Sequence, residues 1–263
     1  MSNLKLPEKV TDKILDIADE HAGKIIDNIA DKPTEALGTN IAAAINLVFS
    51  PIRYLGKKAD IRHMHKLSIY EKELAEKEKS IPEDKRIEPD FQVISTTLEN
   101  SKFCITNDDL RRMFVNLIGS AINSDTADMV HPAFAEMIKQ MSSIDAQILK
   151  SFSVNDIQPI MEINQLFKPL NFYSTAYTNL FLIEKDSVQS LDKASVAITN
   201  LNRIGLINID YTKTLFGEPI YEDLVKVADN MTHNFGASNF KYVKGIASLT
   251  PMGRKFIKIC LSD

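Results

Sequence analysis

Apolar positions recur at three- and four-residue steps through much of this chain, most clearly between residues 103 and 152. Leu110, Met113, Phe114, Leu117, Ile118 and Ala121 fall on one face of a predicted helix. Thr106 or Asn107 can cap its start, and Asp108 and Asp109 sit where the helix dipole favours negative charge. Pro132 opens a second helix with a stripe of Phe134, Met137, Ile138 and Met141, and Ser142 or Ser143 caps a third with Ile144, Ile148, Leu149 and Phe152. Three such faces are expected to bury one another in a helical core.

Upstream, Val10, Ile14, Ile17, His21, Ile25 and Ile29 predict a surface helix over residues 7–31 with one apolar side. Residues 41–56 are apolar except for Asn46, Ser50 and Arg53, and are too short for the roughly 20 residues of a membrane span. Arg53, Lys57, Lys58, Arg62 and Lys66 follow, with Asp60 the one acid among them. Two readings stay open. The commoner outcome for a short apolar run is a core helix with a solvated continuation. The other is contact with an anionic membrane surface or a partner, through Ile41, Ile45, Val48 and Phe49 with Lys57, Lys58, Arg62 and Lys66. Each basic residue near such a surface contributes about 1 kcal/mol. Residues 67–79 are rich in Glu and Lys and predict a long exposed helix held by its own i,i+4 pairs. Pro82 and Pro89 mark residues 80–90 as a linker, and residues 91–98 are expected to be helical.

Beyond Phe152 the chain is polar and Pro-interrupted as far as Pro169, then rich in aromatic and β-branched residues to Ile183. Val188, Leu191, Ala194, Ile198, Leu201 and Ile204 predict a helix that Gly205 stops. Residues 206–211 alternate like a strand, residues 246–250 suit a second, and Pro251 opens a final helix. This order resembles a winged helix with residues 212–245 inserted between the wing strands. The expected fold is therefore mainly α. A helical N-terminal arm (1–80) and a helical core (81–142) precede a winged-helix-like module (143–263) with a small β wing.

Composition narrows the function without supplying one. The 263 residues are 44% hydrophobic and 25% charged, as in ordinary soluble proteins, and no N-terminal signal peptide is apparent. With 31 basic and 35 acidic residues the net charge is -4, which argues against a dedicated nucleic-acid binder. From Ser187 to Tyr211, Lys193 and Arg203 are balanced by Asp192 and Asp210. Cys104 and Cys260 are far apart, and suit a reducing cytoplasm better than a disulfide framework. His63 and His65, two apart on a predicted helix, point to nearly opposite sides and cannot share a metal ion. His131 could be a general base, but capping a helix or bonding a backbone group explains it more cheaply. Asp108, Asp109, Arg111 and Arg112 could form an acid–base group, and helix-end charges on a solvated face account for them as well. Phosphate-loop, dinucleotide-binding, metalloprotease and nucleophile-elbow motifs are all missing from the sequence, so no cofactor is expected.

The run DDLRRMFVNLIGSAIN followed by VHPAFAEMIKQMSSIDAQILK resembles the abortive-infection alpha family of bacterial proteins. The matching positions are Asp109, Leu110 and Arg111, then His131, Pro132 and Phe134, then Ser142, Asp145 and Ala146. IEPDFQVISTTLENSKF upstream, and NLNRIGLI and LTPMGRKFI downstream, extend the likeness over roughly residues 81 to 263. The resemblance implies a role in bacterial defence against phage and implies no reaction. The expectation is a non-enzymatic cytoplasmic protein, acting through a protein partner, self-association or the inner membrane surface. A winged-helix nucleic-acid regulator, or an interaction scaffold using the aromatic run Phe172 to Phe181, is the alternative.

Overall fold

Met64, Leu67, Tyr70, Glu71, Leu74 and Ala75 recur at helical spacing, and all are buried along one side of Ile61–Ser80 (α1). This corrects the expectation of a solvated helix. The high charge of the segment conceals a continuous inward stripe, and Glu71 lies within it. The computed structural model describes residue 41 and residues 44–50, 61–167, 172–183, 188–217, 219–233 and 239–262. The chain divides into two compact units, Met1–Asp128 and Met129–Asp263.

In the first unit α1 is joined by Phe91–Ser101 (α2) and Asp108–Ala121 (α3). The Asp90 carboxylate caps α2 by accepting from the Gln92 and Val93 amides at 2.7 and 3.3 Å. Asn107 caps α3 through the Asp109 and Leu110 amides, as its position in the sequence indicated. The apolar stripe of α3 is buried against α1 and α2. Tyr70 packs edge-on to Phe49 with ring centroids 6.1 Å apart. The Pro-containing connector is fastened to the end of α3, not a free linker. The Ile87 amide donates to the Ile122 carbonyl, the Ser124 amide to that of Lys85, and Arg86 Nε to that of Ile81.

The second unit starts with Ala133–Lys139 (α4) and Ser143–Ser151 (α5). Two long strands follow, Ile157–Phe167 (β1) and Phe172–Leu180 (β2), then Val188–Arg203 (α6) and Ile207–Asp210 (β3). Glu222–Thr232 (α7), Phe240–Leu249 (β4) and Pro251–Phe256 (α8) complete it, with a π-helical turn at Ile257–Leu261. The stripe of α5 packs on α6, and Phe134 of the α4 stripe meets Phe256 of α8, so the three stripes of residues 103–152 find partners beyond one another. The strands form one antiparallel sheet in the order β2-β1-β4-β3. The two strands expected as a wing are β3 and β4, paired from Ile207↔Leu249 to Asp210↔Ile246. They are half of a larger sheet whose other half lies in a region with no expected strand. Pro159 and the polar Glu162, Asn164 and Gln165 disguise β1. Pro159 falls where β1 pairs with β4 alone, a position a sheet tolerates. The insertion between β3 and β4 carries α7, which packs on β1 and β4. Met161, Ile163, Leu180, Leu191, Tyr221, Leu224 and Ala228 form the core beneath it. A fully buried side chain of this size stabilises by about 1.5–3 kcal/mol.

Candidate functional site

The family-motif residue with the most demanding environment is Arg111. Its side chain is 4% exposed, and its guanidinium grips the carboxylate of Glu73 on α1, with Nε to Oε2 at 2.8 Å and Nη2 to Oε1 at 2.9 Å. Nη1 donates to the Ile105 carbonyl at 3.2 Å and to Asp108 Oδ1. Asp108 in turn accepts from Lys66 Nζ at 2.7 Å. Lys66, Asp108, Arg111 and Glu73 thus alternate in sign along one chain of contacts, joining α1 to the start of α3. The Lys66 ammonium and then the Arg111 guanidinium hold the Asp108 carboxyl at about 2, and Glu73 pushes the arginine further up. A planar fork meeting both carboxylate oxygens fixes orientation as well as charge. The helix-end explanation therefore fits the exposed Arg112 but not the buried Arg111.

Asp109 and Leu110 precede Arg111 on α3, and the other two motif groups lie in the second unit and also act as fasteners. His131 Nδ1 accepts from the Ala133 amide at 3.1 Å, so the imidazole caps α4 just ahead of Pro132. Phe134 is fully buried, with its ring edge-on to Phe256 at 5.2 Å. Ser142 and Asp145 form a reciprocal capping box on α5. The second carboxylate oxygen of Asp145 accepts from Asn200 Nδ2 at 3.1 Å, and the same nitrogen donates to the Gln140 carbonyl at 2.9 Å. Ala146 is buried in the same helix.

Two further stretches of the resemblance meet in space. Thr250 Oγ1 donates to the Gly205 carbonyl at 2.7 Å, and the Thr250 amide to that of Leu206 at 3.0 Å. Gly253 faces the Leu206 carbonyl so closely that a Cβ would sit 2.0 Å from the oxygen. That is why a glycine stands three residues after the threonine. Gly205 itself has φ +79, the left-handed region that ends α6.

The apolar half of the segment suggested for membrane or partner contact is buried: Ile41, Ile45, Val48 and Phe49 are at most 4% exposed. Contact through these side chains would require them to leave the core of the first unit. Lys66 is committed to Asp108. Lys57 and Lys58 lie outside the described residues, as does the side chain of Arg62. No helix among the described residues is long and apolar enough to cross a membrane. Among them, too, no three His, Cys, Asp or Glu side chains converge on a metal position.

The aromatic run divides in two. Leu180 and Phe181 turn inward, with Phe181 stacked on Phe152 at 6.5 Å, while Phe172 and Tyr173 stay exposed at the end of the β1–β2 hairpin. Phe167 stacks on Phe172 with centroids 5.2 Å apart, and Lys241 Nζ lies 5.7 Å above the Tyr173 ring. The three aromatics are 40, 45 and 53% exposed for Phe167, Phe172 and Tyr173. The β1–β2 register slips by one residue around Ala176 and again before Leu180, where Asn179 adopts φ 52. Tyr211 and Thr199 hold Asn179 in that conformation at 2.9 Å each. Such bulges blunt a sheet edge. The exposed feature is thus an aromatic tip more than a pairing edge.

These observations define a mainly helical protein with a small antiparallel sheet, whose motif side chains tie its elements together. The family model described as abortive infection alpha matches residues 62–260, most of the chain, and the chain belongs to that family. Membership implies defence of the abortive-infection type. No curated protein matches the chain. A solved structure, of an uncharacterized protein from the hydrocarbon-degrading marine bacterium Alcanivorax borkumensis SK2, is similar at 13% identity, covering 53% of this chain and 96% of its own. The TM-score is 0.30.

Proposed function

We propose that this protein acts in abortive infection by binding a protein partner in the bacterial cytoplasm, without catalysing a reaction, and that the β1–β2 tip is the contact surface. The carrying observation is the group of Phe167, Phe172 and Tyr173, exposed together beside Lys241. Aromatic side chains are enriched at the core of protein interfaces and among their energetic anchors. The polar motif residues lend support, because Arg111, Asp145 and His131 are occupied in fastening helices. Cys104 and Cys260 are buried thiols not joined in a disulfide, in keeping with a reducing compartment. A DNA-reading role for α6 finds less support, since Arg203 is bonded to Asn200 and the local charges cancel. The test is a plaque assay at low and high phage dose in a susceptible bacterium. It compares intact protein with a Phe172→Ser, Tyr173→Ser variant whose fold is verified by circular dichroism. Protection lost in the folded variant is the expected result, and protection that survives it removes the tip from the account.

A further inference from the structure

A cavity of about 630 Å³ opens in the second unit between the loop after β3, the start of α7 and the middle of β4. Its volume lies in the range of small-molecule sites. Leu215, Phe216, Pro219, Ile220 and Val225 supply apolar walls. Tyr221 is buried in its floor and rigidly held, with its hydroxyl donating to the Gly245 carbonyl at 2.8 Å and accepting from the Leu215 amide at 3.2 Å. Over that fixed ring, 5.2 Å from its centroid, stands Lys244 Nζ.

The two lysines of this cavity differ. Lys226 is neutralised locally by Asp223 at 2.9 Å and Glu222 at 3.9 Å. Lys244 has no carboxylate within ion-pair distance among the described residues, and β4 holds it opposite Met161 in the sheet. Lys244 is therefore the cation of this lining that no carboxylate of the described residues answers, beside walls that are mostly apolar. A bare aliphatic ligand would leave this ammonium unanswered, and a simple inorganic anion would leave the apolar walls wet. The complementary chemistry is an apolar body with one anionic group.

We propose that this cavity binds a small amphipathic anion, its ring or short chain against Ile220, Val225 and Leu215 and its carboxylate, sulfonate or phosphate group on Lys244. The site shares no residue with the β1–β2 tip, so it stands or falls separately from the contact surface proposed above. The test titrates the full chain with two fluorescent probes of the same ring body, anilinonaphthalenesulfonate and its uncharged counterpart N-phenylnaphthylamine. Lys244→Gln, at an exposed position, should weaken the sulfonate about five- to tenfold and leave the uncharged probe unchanged, the size of a charge-assisted contact at a partly solvated site. Val225→Phe, which fills the pocket, should weaken both probes, and Phe172→Ser with Tyr173→Ser should weaken neither. Equal affinity of the sulfonate for the intact protein and the Lys244→Gln variant would overturn the proposal. So would loss of both probes on changing the hairpin tip. If Val225→Phe does not fold, the Lys244→Gln comparison decides alone.

Discussion

The two units fasten their helices with different chemistry. In Met1–Asp128 the tie at the motif arginine is ionic and runs side chain to side chain, from Arg111 to Glu73 across 38 residues of sequence. In Met129–Asp263 the motif ties run mostly to backbone carbonyls, from Thr250 to Gly205 and Leu206 and from Asn200 to Gln140, the Asp145 carboxylate takes neutral donors, and the ionic tie from Arg254 to Asp156 is exposed. The difference teaches what each tie depends on. A buried ion pair depends on both partners keeping their charge, whereas a backbone tie depends on close approach and on the absence of a side chain at the crossing point.

The comparison is broken most severely at its ionic end. Arg111→Met leaves the Glu73 carboxylate without its cation and Asp108 with Lys66 alone, and should cost about 3–4 kcal/mol in urea unfolding. Gly253→Ala breaks the other unit by sterics, since its Cβ would meet the Leu206 carbonyl 2.0 Å away. A cost of about 2–3 kcal/mol is expected from the same measurement. Asn200→Ala removes one neutral donor shared by Asp145 and Gln140, and should cost about 1–2 kcal/mol.

The smallest effect sharpens the distinction through pH. The Asp108 carboxyl lies at about 2 in the folded protein, below its ordinary value of 3.8. A carboxylate lowered by folding contributes stability that is fully present above the unfolded value and is lost as pH falls through the folded one. The stability difference between the intact protein and Asp108→Asn should therefore be constant above about pH 4 and close between about pH 4 and 2. Thermal melts across that range read it directly. The Thr250 ties run from a hydroxyl and an amide to backbone carbonyls and involve no titrating group, so Thr250→Val should lack this feature in the same window.

The same contrast explains what could be read from the sequence. Caps are local, so Thr106 or Asn107, Pro132, and Ser142 or Ser143 marked the starts of α3, α4 and α5 without any knowledge of the fold, and the structure selects Asn107 and Ser142. Gly205 was legible as the stop of α6, whereas Thr250 and Gly253 appeared only within a stretch of family resemblance, and the fold shows the backbone ties that require them. Arg111 could not be assigned a buried partner, because Glu73 looks like one more charge in a Glu/Lys-rich run. The inward face of α1 was hidden for the same reason. The β1 and β2 strands escaped because pairing between strands distant in sequence decides them, as β1 with β4 from Ile157↔Ser248 to Gln165↔Phe240. The exposed half of the aromatic run was visible as composition, but only the fold separates Phe172 and Tyr173 from the buried Phe181.

The central claim is that the family-motif charges fasten helices and carry no chemistry. It is tested most directly by replacing the ion pair with an apolar one, Arg111→Met together with Glu73→Leu. Such swaps are often neutral or stabilising where the loss of one partner is costly. Unfolding and phage protection would be measured on the same double variant. The account predicts that the second change recovers most of the stability lost in Arg111→Met and that the cells remain protected. A double variant that folds with recovered stability yet leaves cells unprotected would contradict it, and would make the Arg111–Glu73 pair part of the activity itself.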